Sequence, residues 1–154
     1  MFKVIANVSL FLFILVGGYS LAEERKAVTY EKDVKKITSE KCIFCHGSDS
    51  PTIDEFEKDK EGFKKKNKGP RMDTYQNLII FVNGNETGAL MRRLDDGKNT
   101  KDSKPGNMYK NLGKTDSERA KNLEVIKKWV GGWTLKRKGE LTEAELKAIK
   151  IPEK

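Results

Sequence analysis

Residues 41–50 read KCIFCHGSDS, and this one stretch holds both cysteines and the single histidine of the 154-residue chain. Two thiols separated by two residues can close a disulfide, ligate a metal, or add across the two vinyl groups of a haem. A disulfide at this spacing belongs chiefly to thiol oxidoreductases, which place it at a helix start inside a strand–helix–strand pattern. No strand pattern precedes Cys42. Zinc would want four ligands, and the chain has no further Cys or His to offer. Haem uses all three residues: Cys42 and Cys45 become thioethers and His46 ligates the iron, which is the Cys-x-x-Cys-His attachment pattern of haem c. With His46 alone, bis-histidine ligation from within the chain is excluded. The second axial position then falls to a methionine, another side chain, water or nothing.

The elements around this stretch read as helical. TYEKDVKKITSEKC runs into the attachment motif with Val34 and Ile37 at helical spacing. Residues 48–70 are charged and hold Gly62, Gly69 and two prolines. They read as a surface insertion with one helical turn around Glu55–Lys60. Asp73 to Gln76 resembles a capping box ahead of Leu78, Ile79, Phe81 and Val82. A short helix follows over Ala89–Leu94, stopped by Asp95-Asp96-Gly97. Residues 95–114 form a polar loop with a Pro105-Gly106 turn just before Met108. Thr115 to Glu118 is a capping box opening a strong helix, whose apolar set is Ala120, Leu123, Ile126 and Val130, with Trp129 alongside. It ends at Gly131-Gly132. Thr142 caps a last amphipathic turn, with Leu146 and Ile149 packing down. The expected organisation is a signal at 1–22, one domain at 23–132 with the insertion at about 48–70, and a C-terminal helical extension at 133–154.

Residues 1–22 carry a positive n-region at Lys3, an apolar run from Val4 to Val16, and small residues at Ser20 and Ala22. The apolar run is shorter than the ~20 residues a spanning helix needs, so the pattern predicts a cleaved export signal and a periplasmic protein. A membrane role would require that segment to be kept as an anchor. The whole chain carries a formal net charge of +8, with lysines and acids interleaved as on a solvated surface. No aromatic-interleaved basic motif supports nucleic acid; an acidic protein partner or an anionic membrane surface fits the basic balance better.

A helix into CIFCH, a methionine on the loop PGNMYKNLG, and a helix TDSERAKNLEVIKKWV soon after it occur in that order. In this the chain resembles the monohaem class I cytochrome c family. The resemblance implies an all-α fold, a small helical bundle wrapped around one covalently attached haem c, with the first and last helices crossing. It implies Met108 as the distal iron ligand opposite His46, because the family takes that ligand from a loop before the last helix. Met91, in helical phase with Leu90 and Leu94, and Met72 are the other methionines of the chain after Met1. It implies a backbone carbonyl for the other ring nitrogen of His46, which Gly69-Pro70 could supply. Arg71, Arg92, Arg93, Trp129 and Tyr109 are candidate donors to the haem propionates. Trp129 and Trp133 are expected as core aromatics beside the haem.

The implied function is a soluble periplasmic one-electron carrier, a monomer rather than an enzyme, docking transiently to acidic redox proteins. The alternatives are a haem c electron-transfer subunit of a larger oxidoreductase, or an open-site haem enzyme or gas sensor if no methionine ligates. The extension and the 48–70 insertion depart from the family pattern and leave the surface at the haem edge open.

Overall fold

The chain enters its first helix at Thr29, whose extended backbone and hydroxyl, accepting from the Lys32 N–H at 3.3 Å, cap the start. A π-helical turn (Tyr30–Val34) continues directly into α1 (Lys35–Lys41). The computed structural model describes residues 27–150; the export signal expected at 1–22 lies outside them. The order thereafter is α2 (Ile43–His46), α3 (Ile53–Lys58), α4 (Lys60–Lys65), α5 (Tyr75–Asn83), α6 (Ala89–Leu94), a 3₁₀ turn (Tyr109–Leu112), α7 (Asp116–Val130), a second 3₁₀ turn (Lys138–Glu140) and α8 (Glu143–Ala148). Among the described residues the only β pairing is an isolated bridge between Gly131 and Ile149. The fold is all-α.

The first helix packs on α7, which sets the frame. The buried Tyr30 ring lies 6.1 Å from Trp129 of α7 and meets Tyr75 of α5 edge-on at 5.4 Å. Val34, Leu78, Val82, Met91 and Val130 are fully enclosed in the same core. Each such side chain contributes roughly 1.5–3 kcal/mol relative to exposure. At the other end of this helix pair, Lys41 Nζ lies 2.6 Å from Glu118 Oε1.

Several local expectations are corrected. Residues 48–70 hold two helices rather than one turn, because Thr52 forms a full capping box with Glu55 and Asp59 caps α4 through the Gly62 N–H. Phe56 and Phe63 then stack at 6.2 Å between the two helices. Thr74, not Asp73, is the N-cap of α5, accepting from the Asn77 N–H; Asp73 is occupied by Arg71 and the Asn77 amide. The box at α7 is half made. Thr115 accepts from the Glu118 N–H, but the Glu118 carboxylate reaches the Lys114 N–H and Lys41 instead. Ala120 is exposed, and Trp129 takes its place on the buried face.

Beyond α7 the chain folds back on the core. The Gly132 N–H donates to Ala148 O at 2.8 Å and the Lys150 N–H to Val130 O at 3.1 Å, seating Ile149 inside. Leu146 is only half-buried. No helix among the described residues is long and apolar enough to cross a membrane.

Candidate haem-binding site

One helical turn carries the reactive residues. The Cys45 and His46 N–H groups both donate to Cys42 O, at 3.2 and 3.0 Å, and the Cys42 N–H donates back to Thr38 O at 2.9 Å. Positions 42, 45 and 46 are related as i, i+3 and i+4, so both sulfurs and the imidazole lie on one side of the turn. The intervening Ile43 and Phe44 are left 41% and 86% exposed, the exposed large hydrophobic side chains among the described residues.

The segment leaving the α3–α4 pair closes on this turn. The Gly69 N–H donates to Cys45 O at 2.8 Å, the Met72 N–H to His46 O at 2.9 Å, and the Arg71 N–H to Pro51 O at 2.7 Å. Ser50 Oγ donates to Cys45 O, and Lys68 pairs with Asp49 across the neck of the loop. The 48–70 stretch is thereby part of the site's wall. Only the Gly69-Pro70 end of the stretch was expected at the site; the contacts of Ser50, Pro51 and Lys68 were not.

His46 Nδ1 lies 2.6 Å from Pro70 O. A carbonyl only accepts, so Nδ1 carries the proton. Burial lowers the imidazole below its ordinary pKa, against a smaller opposing pull from the Pro70 carbonyl. The ring is therefore neutral, with its lone pair on Nε2, the form a metal requires. Gly69 is forced by the same packing, since a Cβ there would lie 2.1 Å from His46 Cε1.

Cys42 and Cys45 are not joined in a disulfide. Burial pushes the Cys42 thiol up to about 11, opposite to the lowered pKa that a thiol–disulfide oxidoreductase needs. This argues against the thiol-redox reading of the motif.

The three methionines sit in different surroundings. Met91 is fully buried in α6, its sulfur 3.2 Å from the Thr134 N–H. It fills the core, as its helical phase predicts. Met72 is half-buried where the site loop enters α5. Met108 is half-buried on a non-helical loop, directly ahead of a 3₁₀ turn that packs on α1, α6 and α7. Its N–H donates to Arg93 O at 2.9 Å, and Asn111 Nδ2 lies 3.4 Å from its sulfur.

The donor set fits a haem. It comprises two sulfurs and a neutral imidazole on one turn, and a thioether on a loop outside the helices. Trp129 adds a buried indole N–H with no acceptor, the only such side-chain atom among the described residues, so an enclosed acceptor has a donor waiting. Of the other expected propionate donors, Arg92 is committed to Lys136 O at 2.8 Å and Arg71 to Asp73. Arg93 reaches Asn107.

The family model for the PccH cytochrome c matches residues 29–152. The chain belongs to the PccH cytochrome c family. A solved structure, the monohaem cytochrome PccH from Geobacter sulfurreducens, is 51% identical, with a TM-score of 0.76 over 81% of this chain and 98% of that one. No curated protein matches. The match runs through the α3–α4 pair and into the C-terminal segment. Membership makes the protein a haem-binding electron-transfer protein.

Trp133 packs against the edge of the core. It is half-buried, and its indole N–H donates to Asp95 Oδ2 at 2.8 Å. Asp95, read from sequence as part of a helix stop, is wholly buried and organises the loop that follows. Its one sequence signal was the Asp-Asp-Gly turn itself.

Proposed function

We propose that the protein is a periplasmic one-electron carrier holding a single haem c through Cys42 and Cys45, with His46 and Met108 as axial ligands. The observation that carries this reading is the His46 ring, held through Nδ1 by the Pro70 carbonyl so that Nε2 is left for a metal, on the same turn as two sulfurs not joined to each other. When bound, the haem supplies one-electron exchange between ferric and ferrous iron.

The residues of the chain do the rest. Cys42 and Cys45 tether the group, so it stays bound in either oxidation state. Pro70 O fixes the His46 ring plane and raises its basicity as a ligand. Met108 offers a neutral thioether, which favours the ferrous state and leaves small substrates no open position. Trp129 Nε1 is a donor for an enclosed acceptor. The basic surface steers acidic redox partners into brief encounters. The export-signal pattern of residues 1–22 supports the periplasm, and the protein would act there as a monomer.

The test is expression with cytochrome-maturation machinery, followed by mass spectrometry and an absorption spectrum. The expected product is the mature chain plus the mass of one haem, with the long-wavelength thioether-to-iron band in its oxidised form. A product without the added mass sinks covalent attachment; a holoprotein without the band sinks Met108 as ligand.

A further inference from the structure

The loop that ends at Met108 is organised by one buried carboxylate. Asp95 Oδ1 accepts from the Gly97 N–H at 2.8 Å and the Asn99 N–H at 3.4 Å. Asp95 Oδ2 accepts from Asn99 Nδ2 at 2.8 Å and from Trp133 Nε1 at 2.8 Å. The Asp95 backbone carbonyl takes the Gly106 N–H at 2.8 Å, closing the loop on itself. Gly106 lies against α6 so closely that a Cβ would sit 2.4 Å from both Arg92 O and Arg93 O. Two residues later the Met108 N–H is bonded to Arg93 O. A chain of direct contacts therefore runs from Trp133 through Asp95 and Gly106 to Met108.

Trp133 belongs to the C-terminal segment, not to α6 or the loop. That segment is held on α6 and α7 by contacts other than Asp95: the Thr134 N–H points at Met91 Sδ, Lys136 O takes Arg92 Nη1, and Lys127 Nζ covers the Trp133 ring at 5.2 Å. The indole is a fixed donor presented to a carboxylate that lies entirely out of water. A hydrogen bond to a buried charge is among the stronger single contacts in a fold.

We propose that Trp133 and Asp95 form a positioning latch, through which the C-terminal segment holds the Met108 loop closed and so holds the thioether in place for the iron. The proposal rests on Met108 being the distal ligand. It gives the C-terminal segment a role in tuning the redox centre rather than only in covering the core.

Trp133→Phe keeps the ring and removes the one donor. Asp95→Ala strands four donors at once and compromises folding, so Trp133→Phe carries the test, made in the full-length holoprotein. Amide exchange at Gly97 and Gly106 is expected to rise about tenfold, the loss of one charge-assisted bond. The thioether band is expected to vanish on heating well before global unfolding, and the potential to fall. Unchanged Gly106 exchange with an unchanged band overturns the proposal. So does a band that disappears only in step with global unfolding, which marks Trp133 as merely structural. Met108→Ala separates the two readings. A wild-type band that is lost in Met108→Ala but untouched in Trp133→Phe removes the latch alone. A wild-type spectrum with no band removes the ligand and the latch together.

Discussion

Gly69 and His46 are in backbone-to-ring contact so close that one added carbon at Gly69 would stand 2.1 Å from the imidazole Cε1 and 2.6 Å from Nδ1. The ring occupies the space a side chain would take, and the next residue supplies its carbonyl acceptor. The obstruction comes from the ring itself, which cannot retreat without giving up the Pro70 bond.

Gly69→Ala is therefore expected to push the ring or the Gly69–Met72 segment aside, at a cost of about 1–3 kcal/mol typical of overpacking. In the holoprotein the His46–Pro70 bond should lengthen and the potential shift. A chemical denaturation curve and a redox titration check both. A variant with wild-type stability and potential would mean that the loop yields freely.

Met91→Ala and Met108→Ala should differ in kind. Met91 is enclosed in the core, so its truncation is expected to cost about 2–5 kcal/mol while the thioether band survives. Met108 is half-buried on its loop, so its truncation should remove the band and lower the potential at a smaller cost in stability. Parallel spectra and unfolding curves of the two variants decide this.

Ile149 lies only 2% exposed, at the far end of the returning C-terminal segment. Ile149→Ala is expected to destabilise the whole domain by about 2–5 kcal/mol, as for a core residue. If the segment were a loosely attached tail, urea unfolding would show no change.

Acid should open the Met108 loop before it unfolds the helices. Burial pushes the Asp95 carboxyl up, but the Asn99 amide, the Trp133 indole and the Gly97 and Asn99 N–H groups outweigh it, leaving its pKa below the ordinary value. A depressed carboxylate contributes stability above its unfolded pKa, and that contribution is lost as pH falls through the folded value. Asp96, also held low and 3.6 Å from Lys127, titrates beside it in the same direction. The protection of the Gly97 and Gly106 amides, taken relative to the intrinsic exchange rate at each pH, is expected to fall below the usual Asp range.

The Lys41–Glu118 pair should make the packing of the first helix on α7 sensitive to acid and salt. Lys41 raises no titration near neutrality, since Glu118 lifts its pKa further. Glu118 is held low, first by Lys41 and then by the Lys114 N–H. Its contribution is present above the ordinary Glu value and lost on acidification. Glu118→Gln should flatten the acid limb of the stability–pH profile and reduce its salt dependence; an unchanged profile would show the pair to be neutral.

Much of the architecture was legible in the sequence because its causes are local. Helical period and a stop at Asp95 bound α6 to Ala89–Leu94, as observed. Threonine caps at 115 and 142 begin α7 and α8. The i, i+3, i+4 spacing alone puts Cys42, Cys45 and His46 on one side of a turn. What tertiary structure decided lies between residues far apart in the chain. The Pro70 carbonyl meets His46 Nδ1 across 24 residues, as the family resemblance implied, whereas the bond joining Trp133 to Asp95 across 38 had no sequence signal. Helical phase already put Met91 in the core and the Pro105-Gly106 turn put Met108 on a loop, but only the closed fold set the Thr134 N–H against the Met91 sulfur and packed the α3–α4 stretch on the attachment turn. Spacing along a helix is set by backbone geometry and can be read from residue order. Contacts between distant segments exist only once the core has closed and brought their polar groups out of water together.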